Sequence, residues 1–180
     1  PSVSTPMRKN PDNSIIIMGN GPSLRQAIDH NFSWFHAHTL MAVNFAANAS
    51  EFKMLSPKFY ILADPHFFLH ADSDPNVGKL WTNLSDVSHD MTLYVPAKWK
   101  KTARNLLHSP KVKVKFFNLT PVEGLSKVSH LLFNLGLGMP RPRNVMIPAI
   151  MMAIREGFST IYLAGADHSW SRTLDVDDQN

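Results

Sequence analysis

Residues 14–24 read SIIIMGNGPSL, and this stretch sets the fold class. Ile15, Ile16, Ile17 and Met18 form a short, unbroken apolar run, the pattern of a parallel strand covered on both faces. Gly19 and Gly21 permit a sharp turn and a close approach of another group to the backbone. Pro22 presets a helical φ and lacks an N–H that a first helical turn would leave unused. Ser23 has an oxygen that can accept from a free N–H there, and Pro22 and Ser23 can exchange cap roles. The stretch therefore predicts strand, tight turn and helix N-terminus. Free N–H groups and the helix dipole at that point favour an anion, most often a phosphate. GNGPS is neither a dinucleotide fingerprint nor a P-loop, so a plain βα turn without ligand stands beside that reading. Asn20 likewise has two readings: its amide binds a sugar or phosphate oxygen, or it binds the turn itself.

Outward from this stretch, apolar runs alternate with helical patterns. A first helix is expected over residues 23–30, followed by an aromatic loop over 31–38. Strands are expected over 39–45, 58–64, 91–97, 111–119 and 160–165. Helical segments are expected over 48–55, 77–84, 98–108 and 144–156, and another within 122–135. In residues 111–116 Lys alternates with Val and Phe, which predicts one wet face and an edge position. Asn144 reads as the N-cap of the late helix, Pro148 falls in its first turn, and Gly157 closes it. Alternating strands and helices imply an α/β, doubly wound, mostly parallel, Rossmann-like sheet with one nucleotide-binding domain. Residues 14–170 are expected to form that domain. Residues 1–13 are expected to be a flexible N-terminal segment, and 171–180 the start of a lid or a disordered tail.

The composition agrees with one globular domain. The 180 residues are 44% apolar and 18% charged, enough for a real core. The sequence has no cysteine, which removes disulfides and thiolate zinc sites and fits a reducing cytosol. It has no apolar run of membrane-spanning length, and no signal peptide is expected. The net charge of +4 favours phosphorylated ligands or an acidic membrane surface, or is simply solvated. Without a dense basic stripe interleaved with aromatics, nucleic acid is not an expected partner.

In doubly wound sheets, ligands bind beyond the C-terminal strand ends. The polar residues expected there are Asn20, Asn44, Asp64 and Asp167. Asp64 and Asp167 read as a carboxylate pair for a divalent metal or acid–base work, or as two local loop caps. Asp64, His66, His70 and Asp72 have ligand-like spacing, but Phe67, Phe68 and Leu69 mark the segment as packing, and no metal site is assigned. His168 can act as a general base near neutral pH, or is polar surface. Trp170 stacks on a ligand ring or closes the core. Arg141 and Arg143 bind phosphate or sit in a solvated loop.

Two segments resemble a known family. SIIIMGNGPSL is similar to the nucleotide-binding start of bacterial CMP-sialic-acid-dependent sialyltransferases that decorate lipooligosaccharide, where a strand precedes the same Asn-Gly-Pro-Ser-Leu. Residues 156–167, EGFSTIYLAGAD, resemble that family's helix end, Gly-aromatic pair, Ile-Tyr-Leu strand and Gly-x-Asp ending. Between them, Val43-Asn44 matches the second-strand Asn, and Asp64-Pro65 sits where the family has Asn-Pro. The pattern also marks a wider group that includes flagellin-glycosylation factors and the archaeal 6-hydroxymethyl-dihydropterin pyrophosphokinase.

The resemblance implies one nucleotide-binding α/β domain with a small lid. It implies metal-independent transfer of sialic acid from CMP with inversion, with no cofactor beyond the CMP-sugar donor. Asn20, Gly21, Pro22 and Ser23 would hold the cytidine phosphate and ribose, with Asn44 beside them and Asp64 on nucleotide or sugar. Gly165 and Asp167 come from the second matched segment. The family's Thr-Ser-Gly aligns with Asn144-Val145-Met146, where only Asn144 keeps a polar side chain. Its leaving-group tyrosine aligns near Ser169, beside Trp170. Its catalytic His lies in the lid, and His168 is not its positional equivalent.

The reading expected first is a glycosyltransferase-like protein for bacterial surface glycans, with a glycan or lipid-linked acceptor. It carries cytoplasmic placement, peripheral attachment to the inner membrane face and self-association as further expectations. The alternatives are a pyrophosphokinase using Mg²⁺ on Asp64 and Asp167, and an inactive nucleotide-binding domain of a longer glycan-assembly protein.

Overall fold

The computed structural model describes residues 10–167. The segments 1–9 and 168–180, and with them His168, Ser169 and Trp170, lie outside the described residues. Six parallel strands form one sheet in the order β5-β4-β3-β2-β1-β6. They are β1 (Ser14–Met18), β2 (Thr39–Val43), β3 (Phe59–Ile61), β4 (Met91–Pro96), β5 (Val112–Phe117) and β6 (Thr160–Ala164). The helices are α1 (Ser23–His36), α2 (Phe52–Leu55), α3 (His66–Leu69), α4 (Pro75–Ser85), α5 (Lys100–Leu106), α6 (Ser126–Asn134) and α7 (Met146–Arg155).

The apolar run behaves as a doubly covered strand must. Ile15, Ile16 and Ile17 are 0% exposed. Ile16 and Met18 join one core with Leu40, Ala42, Tyr60 and residues of α1, α2 and α4. Ile15 and Ile17 join the other with Met41, Val43, Phe59, Ile61 and Ala149, Met152 and Ala153 of α7. Side chains alternate across the pleat, so an all-apolar strand feeds both layers. The chain steps from β1 to β5 in one direction, then returns to place β6 on the other side of β1. This α/β doubly wound, Rossmann-like sheet thus has its switch point between β1 and β6.

Several expected boundaries move. The first helix does not stop at His30; α1 runs to His36, with a kink at Asn31 (φ −132°, ψ 32°). Aromatics are weak helix formers, which made residues 31–38 read as a loop. Tertiary packing overrides that preference, since Phe35 is buried and Trp34 meets Tyr162 edge-on at 5.1 Å. The second strand ends at Val43, where Asn44 turns left-handed (φ +51°) into a 3₁₀ turn, Asn44–Asn48. The buried Tyr60 hydroxyl fixes that turn by donating to the Asn44 carbonyl at 2.5 Å and accepting from Ala47 N–H at 3.0 Å. The third strand shortens to Phe59–Ile61, and the fifth to Val112–Phe117.

The sheet's two edges differ. On β5, Lys113 is exposed and Lys115 pairs with Glu156 at 2.5 Å. On β6, which carries no charged residue, Tyr162 is 41% and Leu163 49% exposed. The late helix begins at Met146, not Asn144; Asn144 lies just before it and its Oδ1 accepts from Met146 N–H at 3.1 Å. Pro148 falls in the first turn of α7 and Gly157 (φ +87°) ends it, as expected. Among the described residues, no helix is long and apolar enough to cross a membrane.

Candidate functional site

Because all six strands run parallel, their C-terminal ends share one edge. Asn20 follows β1, Asn44 follows β2, Asp64 lies beyond β3, and Gly165 and Asp167 follow β6. These strands are neighbours, in the order β3-β2-β1-β6, so the sheet gathers the polar strand ends into one continuous row. α7 meets the N-terminal end of β6 through the short segment 156–159. A ten-residue helix and a five-residue strand are both about 15 Å long, so the N-terminus of α7 points back to the same edge. The N-termini of α1 and α7 therefore flank the end of β1 from opposite faces.

The β1–α1 turn is fastened to the loop after β6. Gly19 N–H donates to the Ala164 carbonyl and Gly21 N–H to the Gly165 carbonyl, each at 2.8 Å. Ser23 N–H donates to Asp167 Oδ2, also at 2.8 Å. Pro22 takes the N-cap position and Ser23 is the first helical residue, so Ser23 is not the cap. The cap comes from Asp167. A carboxylate of the chain itself thus meets this helix N-terminus, suited to the positive end of the dipole.

This contact accounts for the glycines. A Cβ on Gly19 would lie 2.4 Å from the Gly165 carbonyl oxygen. One on Gly21 would lie 2.3 Å from Asp167 Oδ2 and 2.6 Å from the Gly165 oxygen. The close approach that the sequence suggested is that of a second backbone.

The remaining strand-end residues divide into two kinds. Asn20 is exposed and Asn44 half-buried, and neither amide hydrogen-bonds any described residue. Asp64 instead serves locally, its Oδ1 accepting from His66 N–H at 2.8 Å. Three strand spacings separate β3 from β6, about 14 Å. The ends of those strands are too far apart for Asp64 and Asp167 to be brought onto one ion by the sheet alone. Arg141 is held by Glu123 through contacts of 2.8 and 3.2 Å, which also keeps the Glu123 carboxyl below its usual range. Arg143 is exposed.

Sequence reasoning missed one pair at this edge. His66 Nε2 lies 2.9 Å from Asp74 Oδ2. Asp74 Oδ1 accepts from Asn76 N–H at 2.8 Å and caps α4. That N–H first, and His66 second, hold the Asp74 carboxyl below the ordinary range. Asp followed by Pro at a helix start was the available signal. The spacing of Asp64, His66, His70 and Asp72 had suggested other partners, yet His70 Nδ1 meets Ser73 Oγ at 3.1 Å. Among the described residues, no three His, Cys, Asp or Glu side chains form a group able to hold a metal ion.

Comparison with known proteins adds one finding. No protein-family model matches the chain, and no curated protein sequence matches it. Among solved structures, the chain is similar to the MAf glycosyltransferase of Magnetospirillum magneticum AMB-1. The TM-score is 0.54 at 17% identity, over 92% of this chain and 25% of MAf. At that identity the likeness to MAf is one of fold. The chain spans about a quarter of the length of MAf.

A cavity of 540 Å³ opens at the opposite edge, lined by Lys58, Lys111, Lys113, Lys115, Asp90 and Glu156 among others. Three of its lysines are already engaged: Lys58 with Asp12 at 3.3 Å, Lys111 with Asp90 at 3.4 Å, and Lys115 with Glu156. Tyr94 also donates to Glu156, and burial and that carboxylate push its phenol pKa up. This cavity lies at the N-terminal strand ends, away from the switch point, and its charges are largely neutralised internally. The C-terminal edge is therefore the better candidate site.

Proposed function

We propose that this chain is the nucleotide-sugar-binding domain of a glycosyltransferase-like protein. The observation that carries the reading is the row of strand ends β3-β2-β1-β6, with two amides, Asn20 and Asn44, not hydrogen-bonded to any described residue. Fold likeness to a glycosyltransferase supports it. The sialyltransferase-like segments favour a CMP-linked sugar acid as donor and a bacterial surface glycan or its lipid-linked precursor as acceptor.

In this reading the nucleotide lies across the ends of β1 and β2. The Asn20 and Asn44 amides donate to its phosphate or ribose oxygens. Gly21, Pro22 and Ser23 face the phosphate, and Asn144 approaches from the segment before α7. A phosphate drawn to the N-terminus of α1 must displace Asp167 from Ser23 N–H. Fixed donors there would stabilise the charge that develops on the departing phosphate as the acceptor oxygen attacks the anomeric carbon. A pyrophosphokinase holding Mg²⁺ between Asp64 and Asp167 is less well supported, because their strands are not adjacent.

A thermal-shift screen with CMP, CDP, UDP, GDP and ATP, with and without Mg²⁺, tests the reading. A ligand bound only by the folded state raises its apparent stability. Stabilisation by cytidine nucleotides without Mg²⁺ is expected. A shift that needs ATP and Mg²⁺ would favour the pyrophosphokinase, and no shift at all would leave a domain without nucleotide function.

A further inference from the structure

We propose that His66, held by Asp74, is the general base that deprotonates the acceptor hydroxyl. The inference rests on the glycosyltransferase reading and supplies a group that reading lacks among the described residues.

The pair sits at the right edge. His66 opens α3, just beyond the C-terminal end of β3. Two strand spacings, about 10 Å, lie between β3 and β1. The pair thus shares the C-terminal edge with a nucleotide seated, on that reading, at β1.

The hydrogen bonds settle the tautomer. An ionised carboxylate only accepts, so with Asp74 ionised the neutral imidazole carries its proton on Nε2 and donates it to Asp74 Oδ2. Nδ1 then presents a lone pair, and it has no hydrogen bond with any described residue. Asp74 cannot swing away readily, since its other oxygen caps α4. The backbone of His66 is fixed as well, through Asp64 Oδ1. The charged and titratable neighbours are Asp64, His70, whose ring centroid is 4.8 Å away, and Asp74. The His66 side chain is 43% exposed, open to a substrate.

A purely structural role explains less. Trp81 Nε1–H already donates to the Phe67 carbonyl at 2.8 Å, and Phe68 packs on Trp81. These buried contacts fasten α3 to α4 without His66.

The step balances. The acceptor hydroxyl proton moves to Nδ1 while the oxygen forms a bond to the anomeric carbon. The carbon–oxygen bond to the nucleotide phosphate breaks, and its electron pair leaves on the phosphate oxygen. Asp74 stabilises the imidazolium, which later returns its proton to solvent. His66 is the catalytic residue and Asp74 a positioning residue.

Nucleotide release by the full chain from CMP-N-acetylneuraminate, UDP-N-acetylglucosamine and GDP-mannose, with water as acceptor, tests this. His66→Ala is expected to lower kcat by on the order of 10²–10⁴ with donor KM unchanged, and added imidazole to restore part of the rate. Asp74→Asn keeps the helix cap and is expected to lower kcat without changing KM or the melting temperature. Wild-type turnover in His66→Ala, or a loss that imidazole cannot restore, would overturn the assignment and leave the glycosyltransferase reading standing. Failure of the wild-type protein to release nucleotide from any of the three donors would remove both.

Discussion

Ser23 N–H and the Asp167 carboxylate meet at 2.8 Å although 144 positions separate them in the chain. The first βα turn and the loop after the last strand thus close on each other at the switch point. Asp167→Ala removes the cap and the favourable charge at the α1 N-terminus. A loss of about 1 kcal/mol is expected, read as a fall in melting temperature of about 2–4 °C. An unchanged urea midpoint would show that the contact contributes nothing.

Gly21→Ala should cost more, about 1–3 kcal/mol, since its Cβ meets both Asp167 Oδ2 and the Gly165 carbonyl oxygen. Part of that strain disappears when the Asp167 side chain is truncated. The double variant with Asp167→Ala is therefore expected to be less destabilised than the sum of the two single changes. Strict additivity in a denaturation cycle would contradict the packing account.

Asn20→Ala is expected to weaken CMP binding in calorimetry while leaving the melting temperature in place, because the amide has no hydrogen bond to any described residue. Asn44 separates differently, since its backbone is left-handed. Asn44→Ala should lose about 1 kcal/mol, whereas Asn44→Gly should keep its stability and still lose nucleotide affinity. Equal stability of the two variants would show that the turn does not hold Asn44 in that conformation.

Acid should weaken the fold through specific carboxylates. The Thr39 hydroxyl and Lys58 hold Asp12 below its usual range, and Arg141 does the same for Glu123. A depressed folded-state pKa means that the unfolded chain binds protons first as pH falls. The stabilisation is complete above about pH 5 and declines as pH drops through the ordinary carboxylate range towards the lower folded values. Urea midpoints between neutral pH and pH 3 should follow that course. Asp12→Asn should be less stable at neutral pH and lose less on acidification; a wild-type slope in the variant would rule Asp12 out as a contributor.

Much of this was legible because it is local. The apolar run 15–18 predicts a strand buried on both faces, and the Lys and Val alternation after residue 110 predicts an edge. Pro148 and Gly157 bracket α7 as their backbone limits require. The failures are non-local. Glycine permits close approach but does not say whether a ligand or another strand's loop approaches. The aromatic stretch 32–36 is helical only because Phe35 and Trp34 have tertiary partners. His66 opens α3 while Asp74 caps α4, and spacing alone grouped His66 with Asp64, His70 and Asp72.

The unequal sheet edges have a further consequence. A strand arriving beside β5 would meet the lysine-bearing face of that edge. One arriving beside β6 would meet Tyr162, Leu163 and a backbone edge that, among the described residues, no strand occupies. The two margins therefore differ in what they offer a neighbouring strand: beside β5 the exposed charge of Lys113, and beside β6 a strand without charged residues.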